Sequence, residues 1–176
     1  MHEFPNENIL IRSMNSADPA YFAAEECEQG WHSTPAKLER RIQHELDGLC
    51  TTFVAEYDGK PAGYVFLYFK PSTGAFANQG IPEIVDFAVL KKYRKHGIGS
   101  KLMDAAEKMA AERCDRVYLG VGLHSGYGSA QRMYVKRGYI PDGSGVWYND
   151  RVCEPYAPCA NDDDLVLYLS KDLKMD

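Results

Sequence analysis

Apolar residues recur along the chain with two periods, and the places where one gives way to the other divide it into elements. Ile9-Leu10-Ile11-Arg12 is a run short enough for an opening strand. Two helical patterns follow, over 19–29 and 35–46. Ser33-Thr34-Pro35 introduces the second, with Thr34 expected as its N-cap and Pro35 at its first helical position. The stretches 51–57 and 62–69 are rich in β-branched and aromatic residues, and Asp58-Gly59 between them is a hairpin signal. After a loop over 70–80 comes a strand over 82–90. A helix over 97–113 then places Ile98, Leu102, Ala105 and Met109 on one face. A strand over 117–121, a short helix over 129–137 stopped by Gly138, and a last strand or hairpin at 165–169 complete the order. Strands on both sides of helices, with a hairpin among them, predict a mixed α/β sheet rather than a doubly wound parallel one.

Length and composition narrow this reading. The 176 residues suit a single domain over 1–176, and 45% hydrophobic with 26% charged residues excludes a disordered chain. No apolar run is long enough for a membrane span, and Met1-His2-Glu3-Phe4-Pro5 has no apolar core of the kind a secretory signal needs. Cys27, Cys50, Cys114, Cys153 and Cys159 form none of the close pairs of zinc or redox motifs, so reduced thiols and a cytoplasmic protein are expected. His2, His32, His44, His96 and His124 are likewise isolated, and no metal is expected. A net charge of −5 argues against a nucleic-acid partner and is compatible with a cationic acceptor such as an amine.

Between the 82–90 strand and the following helix lies Tyr93-Arg94-Lys95-His96-Gly97-Ile98-Gly99-Ser100. A helix N-terminus leaves backbone N–H groups unpartnered and carries positive partial charge. Gly97 and Gly99 remove side chains that would keep an anion away, and Arg94 and Lys95 add positive field. A diphosphate therefore suits this loop. The chain has no Walker loop, and Gly120-Val121-Gly122 with Gly126 is misspaced for a dinucleotide fingerprint.

The segment Pro82-Glu83-Ile84-Val85-Asp86-Phe87-Ala88-Val89, with Arg94, Gly97 and Gly99 in an R-x-x-G-x-G arrangement, resembles the central motif of GNAT acetyltransferases. Ser129-Ala130-Gln131-Arg132-Met133-Tyr134-Val135-Lys136-Arg137-Gly138-Tyr139 resembles the second motif of that family, and together they cover most of 50–140. The resemblance implies the GNAT acyl-CoA N-acyltransferase fold, a mostly antiparallel mixed sheet flanked by helices. It implies acetyl-CoA as co-substrate. Arg94, Lys95, His96, Gly97, Ile98, Gly99 and Ser100 would hold its pyrophosphate, and the backbone of Phe87, Ala88 and Val89 would pair with its pantetheine arm. Tyr127 stands three residues before Ala130, where many members have Asn; both are counted with the cofactor-binding residues.

The resemblance also implies a general acid at Tyr134, protonating the leaving thiolate. Glu83 is the first candidate for a base: it lies on the strand leading to the loop, sharing a face with Val85, Phe87 and Val89 if alternation holds. Asp86 and a water chain are the alternatives. Acceptor-side aromatics are sought at Trp31, Phe69, Phe76, Trp147 and Tyr148, with His32 beside them. The acidic run Asp162-Asp163-Asp164 reads as a solvated loop. The expected activity is transfer of an acetyl group to a primary amine of a small molecule or peptide, and the alternative is a regulatory module that binds acyl-CoA without turnover. Homodimers are common in the family. No nucleic-acid or membrane partner is expected.

Overall fold

The computed structural model describes residues 8–173, so the amino-terminal pentapeptide discussed above lies outside the described residues. The chain forms two compact units. The first holds the described residues through Tyr68, together with Asp86–Met109. It carries β1 (Ile9–Arg12), α1 (Asp18–Glu28), α2 (Pro35–Leu46), β2 (Cys50–Tyr57), β3 (Lys60–Tyr68), the second half of β4 (Glu83–Val89) and most of α3 (Ile98–Ala111). The second holds Phe69–Val85 and the chain from Ala110 onward. It carries the start of β4, then β5 (Arg116–Gly122), α4 (Gly128–Lys136), β6 (Ile140–Tyr148), β7 (Arg151–Val152) and β8 (Leu165–Asp172).

Asp58 and Gly59 adopt φ of 49° and 75°, the left-handed pair that a two-residue hairpin needs, and Tyr57 pairs with Lys60 across it. β1, β2 and β3 run antiparallel in that order. In the second unit β4 runs parallel to β5 through Glu83↔Tyr118 and Ile84↔Leu119, after which β5, β8, β6 and β7 are antiparallel neighbours. Eight strands and four α-helices among the described residues make the expected mixed, mostly antiparallel α/β architecture.

The structure departs from the pattern-based expectations in four places. Thr34 stands at the N-cap of α2 with extended backbone, but its side chain makes no capping bond, so Pro35 supplies the start. On α3 the buried positions are Ile98, Leu102, Met103, Ala106, Glu107 and Ala110, while Ala105 and Met109 are only half-buried. The inward stripe thus follows i, i+4, i+8, one step round the helix from the expected face. β6 was not expected: Pro141, Gly143 and Gly145 are poor strand formers, and its pairing with β8 is interrupted between Pro141 and Val146. Finally, the period-two alternation of β4 breaks at Asp86, whose φ of 53° is left-handed. A residue in that conformation reverses the pleat, so Glu83, Val85, Phe87 and Val89 do not share one continuous face.

Candidate functional site

In the first unit the β4 strand runs into a cationic loop. Leu90 is buried and its N–H donates to Ala62 O at 2.9 Å, anchoring the strand's end to β3. A 3₁₀ turn over Lys91–Tyr93 follows. Lys95 (φ 67°) and Gly97 (φ 82°) are both left-handed, so the loop backbone turns sharply before α3. The first backbone bond of α3 runs from Lys101 N–H to Gly97 O at 3.1 Å, so the amides of Ile98, Gly99 and Ser100 precede the helical ladder. Ile98 is buried and fixes the helix start, whereas Arg94, Lys95, His96, Gly97 and Ser100 are exposed and Gly99 is half-buried. A methyl group built on Gly97 would meet nothing within 4 Å. The space beside the Gly97 Cα is therefore open.

Side chains stiffen this loop. His96 Nδ1 lies 2.9 Å from Arg94 O and 3.2 Å from Tyr93 O; since both are acceptors, Nδ1 carries the proton and the imidazole staples the loop backbone. Its ring also packs on Tyr57 at 4.8 Å. Arg94 donates through Nε to Val89 O at 3.3 Å, and its guanidinium lies 5.8 Å from the Trp31 ring. Lys91 Nζ reaches Gln29 O at 2.8 Å and sits 6.0 Å from the same ring. Trp31, expected on the acceptor side, thus packs against Arg94 and Lys91, and His32 is exposed next to it.

Phe87, Ala88 and Val89 are half-buried on β4. A Cβ at Gly63 of β3 would stand 2.6 Å from Ala88 O, so only glycine lets the two strands approach this closely. Asp86 is held from α2: Arg41 donates to Asp86 Oδ2 through Nε at 2.9 Å and Nη2 at 2.5 Å, and Lys37 Nζ pairs with Oδ1 at 2.8 Å. With both oxygens engaged by cations, Asp86 is poorly placed to collect a proton from an amine.

In the second unit Glu83 opens β4, half-buried, and pairs in register with Tyr118. Burial and then the charge and hydrogen bond of Glu83 hold the Tyr118 phenol well above its ordinary value. Tyr118 O–H is 3.4 Å from Thr73 O, and its ring contacts Phe76 at 4.7 Å and Tyr168 at 6.0 Å. Tyr168, in turn, packs edge-on against Trp147 at 5.2 Å, and burial ahead of the Glu83 charge pushes its phenol up to about 12. Phe76 and Trp147 therefore belong to the aromatic cluster beside Glu83. Phe69 lies instead under the Arg113 guanidinium at 3.8 Å, and Tyr148 O–H donates to Asp162 Oδ2 at 3.3 Å. Tyr118 and Tyr168 were not singled out from sequence; in apolar strands they read as core, and only the strand register places Tyr118 opposite Glu83.

Tyr134 lies on α4, buried, 5.9 Å from the Tyr139 ring. Burial first, then the nearby Tyr127, raises its phenol well above the usual range, so it stays protonated at any physiological pH. Ala130 occupies the first turn of α4. Tyr127 lies in the preceding 3₁₀ turn and donates to Asp163 Oδ1 at 2.8 Å. His124 Nδ1 accepts from Gly126 N–H at 3.1 Å, so Nε2 carries the proton and donates to the same Asp163 oxygen at 2.9 Å. The acidic run is thus a tie for the turn before α4, and not merely a solvated loop. Among the described residues all five cysteines are free, no His, Cys, Asp or Glu cluster could hold a metal ion, and no helix is long and apolar enough to cross a membrane.

Known proteins resemble this chain in sequence and in fold. A protein of Chlorobaculum tepidum described as an uncharacterized N-acetyltransferase is 25% identical over 158 residues, covering 88% of this chain and 94% of its own. An N-alpha-acetyltransferase of Sulfurisphaera tokodaii is 31% identical over 107 residues, 56% of this chain and 61% of its own. The structure of a putative acetyltransferase from Salmonella typhimurium with its cofactor acetyl-CoA superposes with a TM-score of 0.66 at 15% identity, covering 97% of this chain and 96% of that one, and so shares the fold. The sequence pattern of the acetyltransferase (GNAT) family matches residues 14–139, and the chain belongs to that family.

Proposed function

We propose that this acetyltransferase moves an acetyl group from acetyl-CoA to a primary amine of a small molecule or peptide by direct attack on the thioester. The observation that carries the donor is the loop with left-handed Lys95 and Gly97 opening onto the first amides of α3. Arg94, Lys95, His96, Gly97, Ile98, Gly99 and Ser100 are the proposed pyrophosphate contacts, His96 through its main chain because its ring is spent on the loop. The backbone of Phe87, Ala88 and Val89 is the proposed pantetheine contact, with Tyr127 and Ala130 at the second motif.

In the reaction the amine nitrogen bonds to the acetyl carbon as the carbon–sulfur bond breaks. Glu83 takes the proton that the amine must shed, and Tyr134 gives one to the departing thiolate. Tyr134 carries at physiological pH the proton that the donor role requires. Asp86 is the less accessible candidate because Arg41 and Lys37 occupy its carboxylate oxygens. The name of the Sulfurisphaera relative favours a peptide α-amine among the candidate acceptors.

Coenzyme A release measured with acetyl-CoA and a panel of amines, unacetylated peptides included, tests the proposal. Turnover on at least one primary amine is expected. Tight acetyl-CoA binding with no release on any amine would replace it by the non-catalytic binding module.

A further inference from the structure

Among the described non-glycine residues with positive φ, Asp86 is the one that lies inside a strand. Such a conformation disfavours L-residues and persists only where the surroundings impose it. Here the surroundings are one face of α2. Lys37, Arg41 and His44 follow one another at i, i+4 and i+7, and all three point the same way. Lys37 takes one carboxylate oxygen of Asp86 and Arg41 takes the other. Arg41 is itself fixed: Nη1 donates to the Tyr68 hydroxyl oxygen at 2.5 Å, and its guanidinium lies 5.0 Å from the Tyr68 ring and 5.7 Å from Phe66. The Tyr68 hydroxyl is 2.6 Å from His44 Nδ1, which closes the chain of contacts back onto α2. Immediately after Asp86 the strand passes Gly63 of β3 at a distance only glycine permits, and it is secured at Leu90. The segment 87–89 is therefore held at both ends, and the conformation of Asp86 sets the direction in which its amides and carbonyls project.

We infer that Lys37 and Arg41 are positioning residues for donor binding: through their ion pairs they hold Asp86 in the left-handed conformation that presents the backbone of 87–89 to the pantetheine arm. This rests on the donor reading given above. Neither residue needs to touch the coenzyme. The inference separates two parts of one ligand, since the phosphate loop lies downstream of Leu90 and the pinned segment lies upstream.

Titration calorimetry with coenzyme A and with 3′-phospho-ADP, which keeps the pyrophosphate but lacks the pantetheine arm, tests the inference on the full chain. For Asp86→Ala and Arg41→Gln, coenzyme A affinity should fall on the order of tenfold while that of 3′-phospho-ADP changes less than about twofold. Asp86→Gly loses the same ion pairs but accepts positive φ freely, so it should recover affinity relative to Asp86→Ala. Equal weakening of both ligands, or Asp86→Gly as poor as Asp86→Ala, would mean a general loss of structure and overturn the inference. So would unchanged coenzyme A binding in Asp86→Ala. A wild-type protein that binds neither ligand would instead refute the donor reading itself, and the inference with it.

Discussion

Tyr134 shows how much a single side chain's surroundings constrain its chemistry. It is buried on α4, and the environment that suits an apolar ring also penalises a phenolate, so the group keeps its proton far into alkaline conditions. Tyr134→Phe removes only the hydroxyl and keeps the ring against Tyr139. We expect acetyl-CoA binding within about twofold of wild type and kcat lower by about 10²–10⁴, the usual worth of a placed proton donor. An unchanged kcat in steady-state assays would remove Tyr134 from the reaction. Glu83→Gln should likewise lower kcat by about 10² or more, with loss of the acidic limb of the pH–rate profile. If the limb survives in Glu83→Gln, another group or water accepts the proton. The motif around Tyr134 was readable from sequence because its spacing is local. The Glu83–Tyr118 contact was not, because it joins residues far apart in sequence that only strand register brings together.

Elements were legible where local chemistry dictates them and obscure where tertiary contacts do. The β2–β3 hairpin was visible because Asp58-Gly59 can adopt the left-handed pair the turn demands, and α2 because proline starts it. β6 was hidden by its proline and two glycines, and the kink in β4 by an aspartate that alternation places innocently on a strand. That kink is selected by α2, a partner some 45 residues earlier, with which it shares an ion pair. The contact of β3 with β4 makes a prediction at the same scale. A Cβ at position 63 would meet Ala88 O at 2.6 Å and Val89 Cα at 3.2 Å, backbone atoms that cannot rotate aside. Gly63→Ala should therefore cost about 1–3 kcal/mol in urea unfolding and also raise the KM for acetyl-CoA, because the displaced strand is the proposed pantetheine contact. If stability and KM both stay at wild-type values, β4 is not held as tightly as its spacing from β3 requires.

For the molecule as a whole, the mixed α/β class followed from the order of periodic segments, because that order survives small errors at each boundary. How burial distributes titratable groups did not, and it leads to a prediction about alkaline stability. Tyr21, Tyr64, Tyr118, Tyr134 and Tyr168 all have phenols raised above their model-peptide value of 10.0, in every case chiefly by burial. Tyr64, for example, donates to the equally buried Glu26 at 2.7 Å, where a second negative charge would be strongly disfavoured. In the unfolded chain these phenols ionise near pH 10, whereas in the folded protein they hold their protons to higher pH, Tyr168 up to about 12. Above roughly pH 10 the unfolded state therefore binds fewer protons than the native one, and linkage requires stability to fall as pH rises. The contribution is fully present below the unfolded value and is lost through the interval up to the folded ones. Urea midpoints should accordingly be level between about pH 8 and 9 and decline steeply from about pH 10 to 11, with tyrosinate absorbance appearing together with unfolding rather than before it. Tyrosinate absorbance from most of these residues while the fold is intact would show the phenols to be far more accessible to solvent than their burial implies.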